Sequence, residues 1–179
     1  HHFDLPVTTI SLVQGDALGG GFEAALTSDI IIAERRSIMG FPEILFNLFP
    51  GMGAYSLLGR KVGSANAEKI ILSGKMYKAE ELHEMGVVDV LAEDGNGENA
   101  LYEYIKKQER RANGYLAVQR ARHRFNPVTH QELLDITTIW VDAALKLTEK
   151  DLKVMDRLVR SQQKLFVQQE EQPQLFNAA

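Results

Sequence analysis

Three consecutive glycines, Gly19 to Gly21, separate an apolar run from the start of an amphipathic segment. The run Val7–Val13 predicts a buried strand, and Phe22–Leu26 predicts a helix that begins directly after the glycines. Glycine lets the backbone turn tightly and approach a ligand closely. The free N–H groups of the helix's first turn point outward at the positive end of the helix dipole. This arrangement therefore predicts a site for a developing oxyanion.

Two glutamates, Glu23 and Glu43, each lie in a stretch that is otherwise poor in charge. Taken singly, Glu23 is typical of a helix-dipole partner and Glu43 of a first-turn residue after Pro42. Taken together with the glycine turn, they predict an acid–base pair. A dinucleotide site is disfavoured because the glycines are contiguous and the Glu23 carboxylate would repel a phosphate.

The chain resembles the enoyl-CoA hydratase (crotonase) superfamily. The motifs that carry the resemblance are, in chain order, Ala17–Leu26 with Asp29–Ala33, Gly40–Glu43 followed by Phe49–Gly53, and Leu72–Lys75 through Met85–Asp89. They cover about the first half of the chain in the family's order and spacing, which is more specific than any single motif. The resemblance implies an enzyme that acts on acyl thioesters.

Three further segments, Phe49–Ser56, Ile136–Asp142 and Met155–Arg160, resemble the branch that makes diffusible signal factors. These are cis-2-unsaturated fatty acids used in bacterial quorum sensing. The narrower resemblance implies a lyase that dehydrates a 3-hydroxyacyl carrier protein and a thioesterase step that releases the acid. The alternatives are an ordinary enoyl-CoA hydratase/isomerase of fatty acid metabolism and a non-catalytic binding module of the same fold.

The resemblance also implies the residues of the site. The superfamily carries its paired glutamates at the positions of Glu23 and Glu43, and its second oxyanion-hole N–H at the position of Gly20. The first oxyanion donor would lie upstream of this chain. Substrate-binding positions are expected at Gly19, Gly51, Met52, Trp140 and Leu158. The sequence leaves open which glutamate is the acid and which is the base.

The expected fold is α/β, a crotonase-like spiral of ββα units with a C-terminal α-helical region. Residues 1–92 are predicted to form the part of the spiral that carries the glutamates, 98–168 a helical region for the acyl pocket and oligomerisation, and 169–179 a flexible tail. Strands are predicted near 7–13, 29–33, 37–39 and 87–91, and helices near 20–27, 53–60, 64–72 and 79–85. The resemblance implies that the N-terminal part of the superfamily fold, roughly another hundred residues, lies upstream.

The second half is predicted to be helical at about 98–111, 114–124, 130–147 and 150–168. Thr129 and Glu132 form a capping box for the third of these helices, and Thr148 and Asp151 resemble one for the fourth. Each helix carries an apolar stripe that predicts core or subunit contacts. The stripes are Leu133, Thr137, Trp140, Val141 and Ala144, and Leu152, Met155, Val159 and Phe166. The resemblance implies a trimer or hexamer.

Several kinds of site are disfavoured by the sequence. The chain has no cysteine, and His83, His123 and His130 lack the spacing of metal ligands, so no metal site is expected. No serine lies in a Gly-x-Ser-x-Gly elbow. The net charge of −4 argues against nucleic-acid binding. No apolar run is long enough to span a membrane, and a cytoplasmic protein is expected.

The resemblance implies that the partner is an acyl carrier protein thioester or a CoA thioester. No cofactor is expected beyond the CoA or acyl carrier protein that carries the substrate. Arg120, Arg122 and Arg124, with Arg110 and Arg111 nearby, could dock an acidic carrier protein or a CoA phosphate, or simply form a solvated helix face. The resemblance also implies that the receiver domain of a sensor kinase is a candidate partner.

Overall fold

The computed structural model describes residues 7–170, and it describes side chains up to residue 162. The strands are β1 (Ile10–Val13), β2 (Ala17–Leu18), β3 (Ile30–Glu34), β4 (Ile38–Gly40), β5 (Met76–Lys78) and β6 (Val90–Ala92). The helices are α1 (Gly20–Leu26), α2 (Ala54–Val62), α3 (Ser64–Ser73), α4 (Ala79–Glu84), α5 (Gly97–Glu109), α6 (Ala112–Phe125), α7 (His130–Ala144) and α8 (Glu149–Glu170). A 3-10 helix, Glu43–Phe46, follows β4.

Within residues 7–170 the strands form two three-stranded sheets, ordered β1-β3-β6 and β2-β4-β5. In the first sheet, β3 pairs in parallel with β1 and with β6. In the second, β4 pairs in parallel with β2 and antiparallel to β5. Helix α1 follows β2 directly and contacts both β2 and β1, so it packs against a strand of each sheet.

The core lies between these sheets and the first helices. Phe22 of α1 stacks on Phe41, which follows β4, with ring centroids 4.8 Å apart. Both rings are fully buried, as are Ile31 of β3 and Leu58 of α2. Burying side chains of this size contributes about 1.5–3 kcal/mol each relative to leaving them exposed. Phe22 directly precedes Glu23, and Phe41 lies two residues before Glu43. Their stacking thus fixes the two segments that carry the carboxylates.

The C-terminal helices pack against different parts of this core. Helix α5 packs against β1, β3 and β6, and α8 lies along the 3-10 helix. Helix α6 is held through Asp29, whose carboxylate accepts hydrogen bonds from Thr9, Gln119 and Arg122. His123 also lies 3.3 Å from this carboxylate. Arg122 therefore forms an intramolecular ion pair while its side chain is 52% exposed, and its part in docking stays a prediction.

Most of the predicted helices and strands are confirmed to within a few residues. The predicted caps are also present, since Thr129 Oγ1 accepts the Glu132 N–H and Asp151 accepts the Thr148 N–H. The sequence missed the short strands β2 and β5 and the 3-10 helix. Two or three residues are too few to show an alternation of apolar and polar side chains.

The predicted apolar stripes are only partly buried. Thr137, Val141, Leu152 and Val159 are exposed in the described chain, so of the two predicted alternatives, core or subunit contact, they do not lie in the core of this chain. Leu133, Trp140 and Met155 are half-buried. Contact of the exposed positions with another subunit stays a prediction. The Phe166 side chain and the tail beyond residue 170 lie outside the described residues, as do residues 1–6.

Candidate active site

Glu23 lies in the first turn of α1, and its side chain is buried. One carboxylate oxygen, Oε1, accepts the backbone N–H of Met52 at 2.7 Å and that of Ala54 at 3.2 Å. Ala54 is the first residue of α2, so the carboxylate also lies at the positive end of that helix. Burial raises the pKa of Glu23, and the two N–H donors partly offset this rise. Glu23 thus combines a buried position, which opposes ionisation, with two donors that favour the ionised form.

Glu43 begins the 3-10 helix directly after Pro42. Its Oε1 lies next to Gly19. A Cβ atom built on Gly19 would be only 2.7 Å from this oxygen, so a side chain at position 19 would clash with it. Its other oxygen, Oε2, is buried and has no hydrogen-bond partner. Burial, with a smaller contribution from the Glu23 charge, raises the pKa of Glu43 from 4.5 to about 7. Glu43 is thus equipped to hold a proton near neutral pH.

The two carboxylates therefore differ in a way that suits acid–base chemistry. Glu23 has two donors that favour its ionised form, whereas Glu43 has a bare buried oxygen that favours its protonated form. Each charge also raises the cost of ionising the other, so the pair titrates as a unit. The pKa of both carboxyls is raised, and that of Glu43 reaches about 7.

The candidate oxyanion donor is the Gly20 N–H. Gly20 is the first residue of α1, so its N–H has no acceptor within the helix. Gly20 as a residue is exposed. The neighbouring Gly19 N–H instead donates to the Gly40 carbonyl at 2.9 Å. The two glycines therefore have different positions. Gly19 holds the turn against Glu43, and Gly20 is the candidate donor at the start of α1.

An apolar wall stands beside the glutamates. The Trp140 indole of α7 lies against Gly51 so closely that a Cβ atom on Gly51 would lie 2.4 Å from the ring. The Met52 side chain is 65% exposed, and its Cε lies 2.9 Å from where a Cβ atom on Gly20 would be. The structure thus brings Gly51, Met52 and Trp140 together beside the carboxylate pair.

Leu158 is placed differently from the other predicted substrate-binding residues. It is half-buried on α8, the helix that packs along the 3-10 helix carrying Glu43. This puts it on the element that supports Glu43. Its role in a pocket stays a prediction.

Sequence reasoning missed two parts of the site. The first is the pair of main-chain donors at Met52 and Ala54, which no side-chain pattern reveals. The second is Arg60 of α2, whose guanidinium binds both oxygens of Glu132 on α7 at 2.8 and 2.7 Å. Arg60 also donates to the Asn126 and Pro127 carbonyls. It thereby holds the start of α7, and with it the helix of Trp140, against α2.

The described residues offer no other obvious chemistry. Between residues 7 and 170, no three His, Asp or Glu side chains come together in a way that would hold a metal ion. His83 contacts the Val88 carbonyl, and His123 lies beside Asp29. In the same stretch of chain, no helix is both long and apolar enough to cross a bilayer.

Comparison with known proteins agrees with this geometry. The family model for enoyl-CoA hydratase/isomerase matches residues 1–112. The chain belongs to the enoyl-CoA hydratase/isomerase family. One similar relative is the fatty acid oxidation complex subunit alpha of Idiomarina loihiensis, which is 42% identical over 93 residues. That match covers 52% of this chain and 13% of the relative.

Solved structures show the same fold for this family member. Carnitinyl-CoA hydratase from Mycobacterium avium superposes with a TM-score of 0.73 at 23% identity, covering 89% of this chain and 62% of that one. An enoyl-CoA hydratase from Mycobacterium avium subsp. paratuberculosis K-10 gives a TM-score of 0.67 at 23% identity, covering 82% of this chain and 59% of that one. The predicted crotonase-like α/β fold is confirmed, and the chain spans about three fifths of the length of these neighbours.

Proposed function

We propose that this family member adds water to, or removes it from, the Cα–Cβ bond of an acyl thioester. The observation that carries the proposal is the carboxylate pair beside an open helix N–H. Glu23 is anchored by two main-chain donors, Glu43 retains a buried oxygen without a partner, and Gly20 at the start of α1 is exposed. A reaction that moves two protons and develops charge on a carbonyl oxygen uses all three groups.

In the hydration direction, each group has one task. The Glu23 carboxylate takes a proton from water while the water oxygen bonds to Cβ. The electron pair of the double bond moves toward the thioester carbonyl, whose oxygen gains negative charge and accepts the Gly20 N–H. Glu43 then delivers its proton to Cα. Dehydration runs through the same steps in reverse, with Glu43 taking the Cα proton and Glu23 protonating the departing hydroxyl.

This assignment requires one proton on the pair in both directions. Because the pKa of Glu43 is raised to about 7, the singly protonated pair is lost as pH rises through that region. At low pH, protonation of Glu23 removes the base. We expect a bell-shaped dependence of kcat/KM on pH, with a basic limb near neutrality.

We further propose that the physiological product is a cis-2-unsaturated fatty acid signal. The support is the resemblance of Phe49–Ser56, together with the apolar wall of Met52 and Trp140, which suits a long alkyl chain. Release of the acid needs a second step. Water activated by a glutamate adds to the thioester carbonyl, the oxyanion accepts the Gly20 N–H, and the thiol leaves with a proton. An ordinary enoyl-CoA hydratase would stop before this step.

The carrier of the acyl group is proposed to be an acyl carrier protein. Arg120 and Arg124 are exposed on α6 and are available to an acidic partner, whereas Arg122 is paired with Asp29. Self-association is proposed to involve α7 and α8, where Val141, Leu152 and Val159 are exposed. A receiver domain of a sensor kinase stays a proposal from the resemblance.

The reaction is tested with Glu23→Gln and Glu43→Gln, which keep side-chain size but remove the proton exchange. The protein is assayed with whatever residues are encoded upstream of His1, using matched 3-hydroxydodecanoyl thioesters of CoA and of acyl carrier protein. Each variant is expected to lose at least about 10²-fold in kcat while remaining folded. Wild-type turnover in both variants would overturn the assignment.

The finer proposal is tested in the same reactions. Mass spectrometry follows the new double bond and the free acid separately. Free cis-2-enoic acid from the carrier-protein substrate supports a signal synthase. Reversible hydration of the CoA ester without acid release returns the chain to the ordinary hydratases. Charge reversal at Arg120 and Arg124 should raise KM for the carrier-protein substrate and leave KM for the CoA ester unchanged.

A further inference from the structure

One methionine of this chain, Met52, is far more exposed than the others. There is no cysteine, and there are five methionines, Met39, Met52, Met76, Met85 and Met155. Met39 is fully buried, and the last three are half-buried. Met52 is 65% exposed. Among the five methionines, Met52 is thus the most accessible to a solute such as a peroxide.

The Met52 side chain is also held in a defined place. Its backbone N–H donates to Glu23 Oε1 at 2.7 Å, which fixes the residue at the edge of the carboxylate pair. Its methyl carbon Cε lies 2.9 Å from the position of a Cβ atom on Gly20. The sulfur is bonded to this carbon, so it too lies beside the first residue of α1. The Gly20 N–H, which has no acceptor within the helix, is its neighbour.

We propose that Met52 is an oxidation site at which peroxide reversibly inhibits the enzyme. The sulfur lone pair attacks one peroxide oxygen, the O–O bond breaks, and water is released. The thioether loses two electrons to become a sulfoxide, and the peroxide is reduced to water. The inhibition rests on the function proposed above, whereas the selective oxidation of Met52 does not.

Two physical effects of the sulfoxide act in the same direction. The new S–O oxygen is a hydrogen-bond acceptor that can reach the Gly20 N–H and compete with the thioester carbonyl for it. The sulfoxide is also polar, and it replaces an apolar group next to Gly51 and Trp140. The first effect weakens oxyanion stabilisation, and the second weakens binding of an alkyl chain. Removal of one oxyanion donor typically costs about 10²–10³ in kcat, so partial competition should cost roughly tenfold or more.

The experiment treats the folded protein with graded hydrogen peroxide and maps the oxidised peptides by mass spectrometry. Met52 is expected to gain one oxygen at lower peroxide than Met39, Met76, Met85 or Met155. Activity on the thioester substrate should fall in step with Met52 oxidation. Treatment with methionine sulfoxide reductase and a thiol reductant should restore it. Oxidation of Met85 or Met155 ahead of Met52 would overturn the assignment of the site.

Two variants separate the site from general damage. Met52→Leu cannot be oxidised, so its activity after peroxide, relative to its own untreated value, should stay near one. Met85→Leu is the matched control, and it should be inhibited as the wild type is. Inhibition of Met52→Leu to the wild-type extent would overturn the proposal. An untreated wild-type protein without turnover would refute the proposed function alone, since selective oxidation of Met52 would still be measurable.

Discussion

Replacement of Glu43 by glutamine should make the protein more stable at pH 8 and change it less at pH 5. In the folded protein the pKa of Glu43 is raised to about 7 from 4.5, chiefly by burial. The folded state therefore holds this proton more tightly than the unfolded chain does. Wild-type stability from this group is fully present below about pH 4.5 and is lost as pH rises through about 7. Glutamine carries no proton to lose.

The magnitude follows from the size of the shift. At about 1.36 kcal/mol per pKa unit, a rise from 4.5 to about 7 corresponds to roughly 3 kcal/mol over the full range. Glu43 is only half-buried, so solvent screening reduces this figure. Between pH 5 and pH 8, wild type should lose about 1–2 kcal/mol more unfolding free energy than Glu43→Gln does.

The measurement is urea unfolding at pH 5, 6, 7 and 8, followed by circular dichroism. Glu34→Gln is a matched control, because Glu34 is a fully buried glutamate whose surroundings shift its pKa in the opposite direction. Burial alone would raise the pKa of Glu34, yet hydrogen bonds from Gly95, Gln14 and Gly97 and the charge of Arg36 hold it below its usual value. That variant should therefore be destabilised by a similar amount at all four pH values. A Glu43→Gln difference that stays flat or shrinks toward pH 8 would refute the reasoning.

Two other substitutions test how the wall of the site is held. Gly51→Ala places a Cβ atom 2.4 Å from the Trp140 ring, so the indole must move, and KM for long-chain thioesters should rise several-fold. Gly59→Ala is the control, since a Cβ atom there meets nothing within 4 Å; KM should hold, and stability should rise by about 0.5–1 kcal/mol because Gly59 lies inside α2. Arg60→Lys removes the two-point contact with Glu132, and urea unfolding should show a loss of about 1–2 kcal/mol. An unchanged unfolding midpoint for Arg60→Lys would show that the pair does not hold α7.

The positions of the glycine turn and of the two glutamates could be predicted from the sequence because their signals are local; their catalytic role stays a prediction. Three glycines and Glu23 lie within one strand–turn–helix segment, and Glu43 follows Pro42 at a recognisable break. The structure brings these segments together through the Phe22–Phe41 stack. Short-range patterns of this kind survive folding because one turn and one helix start determine where each side chain lies.

The supporting contacts could not be read in the same way. Arg60 and Glu132 are 72 positions apart, and each sits in an ordinary helical pattern without a sign of its partner. The donors to Glu23 are main-chain groups, which every residue except proline carries. Val141 and Leu152 belong to predicted apolar stripes, yet both are exposed in this chain. An apolar stripe indicates that a helix face packs against something, but it does not identify the partner.

The anchoring of Glu23 by peptide groups has a consequence for how such a site can diversify. The carboxylate accepts hydrogen bonds from the backbone of residues 52 and 54, while the Met52 side chain is 65% exposed. Substitutions at position 52 can thus alter the exposed surface beside Gly20 without removing a partner of the carboxylate. Under the proposed function, selection on substrate size and selection on proton transfer would act at the same residue through different atoms, so one could drift while the other stays fixed.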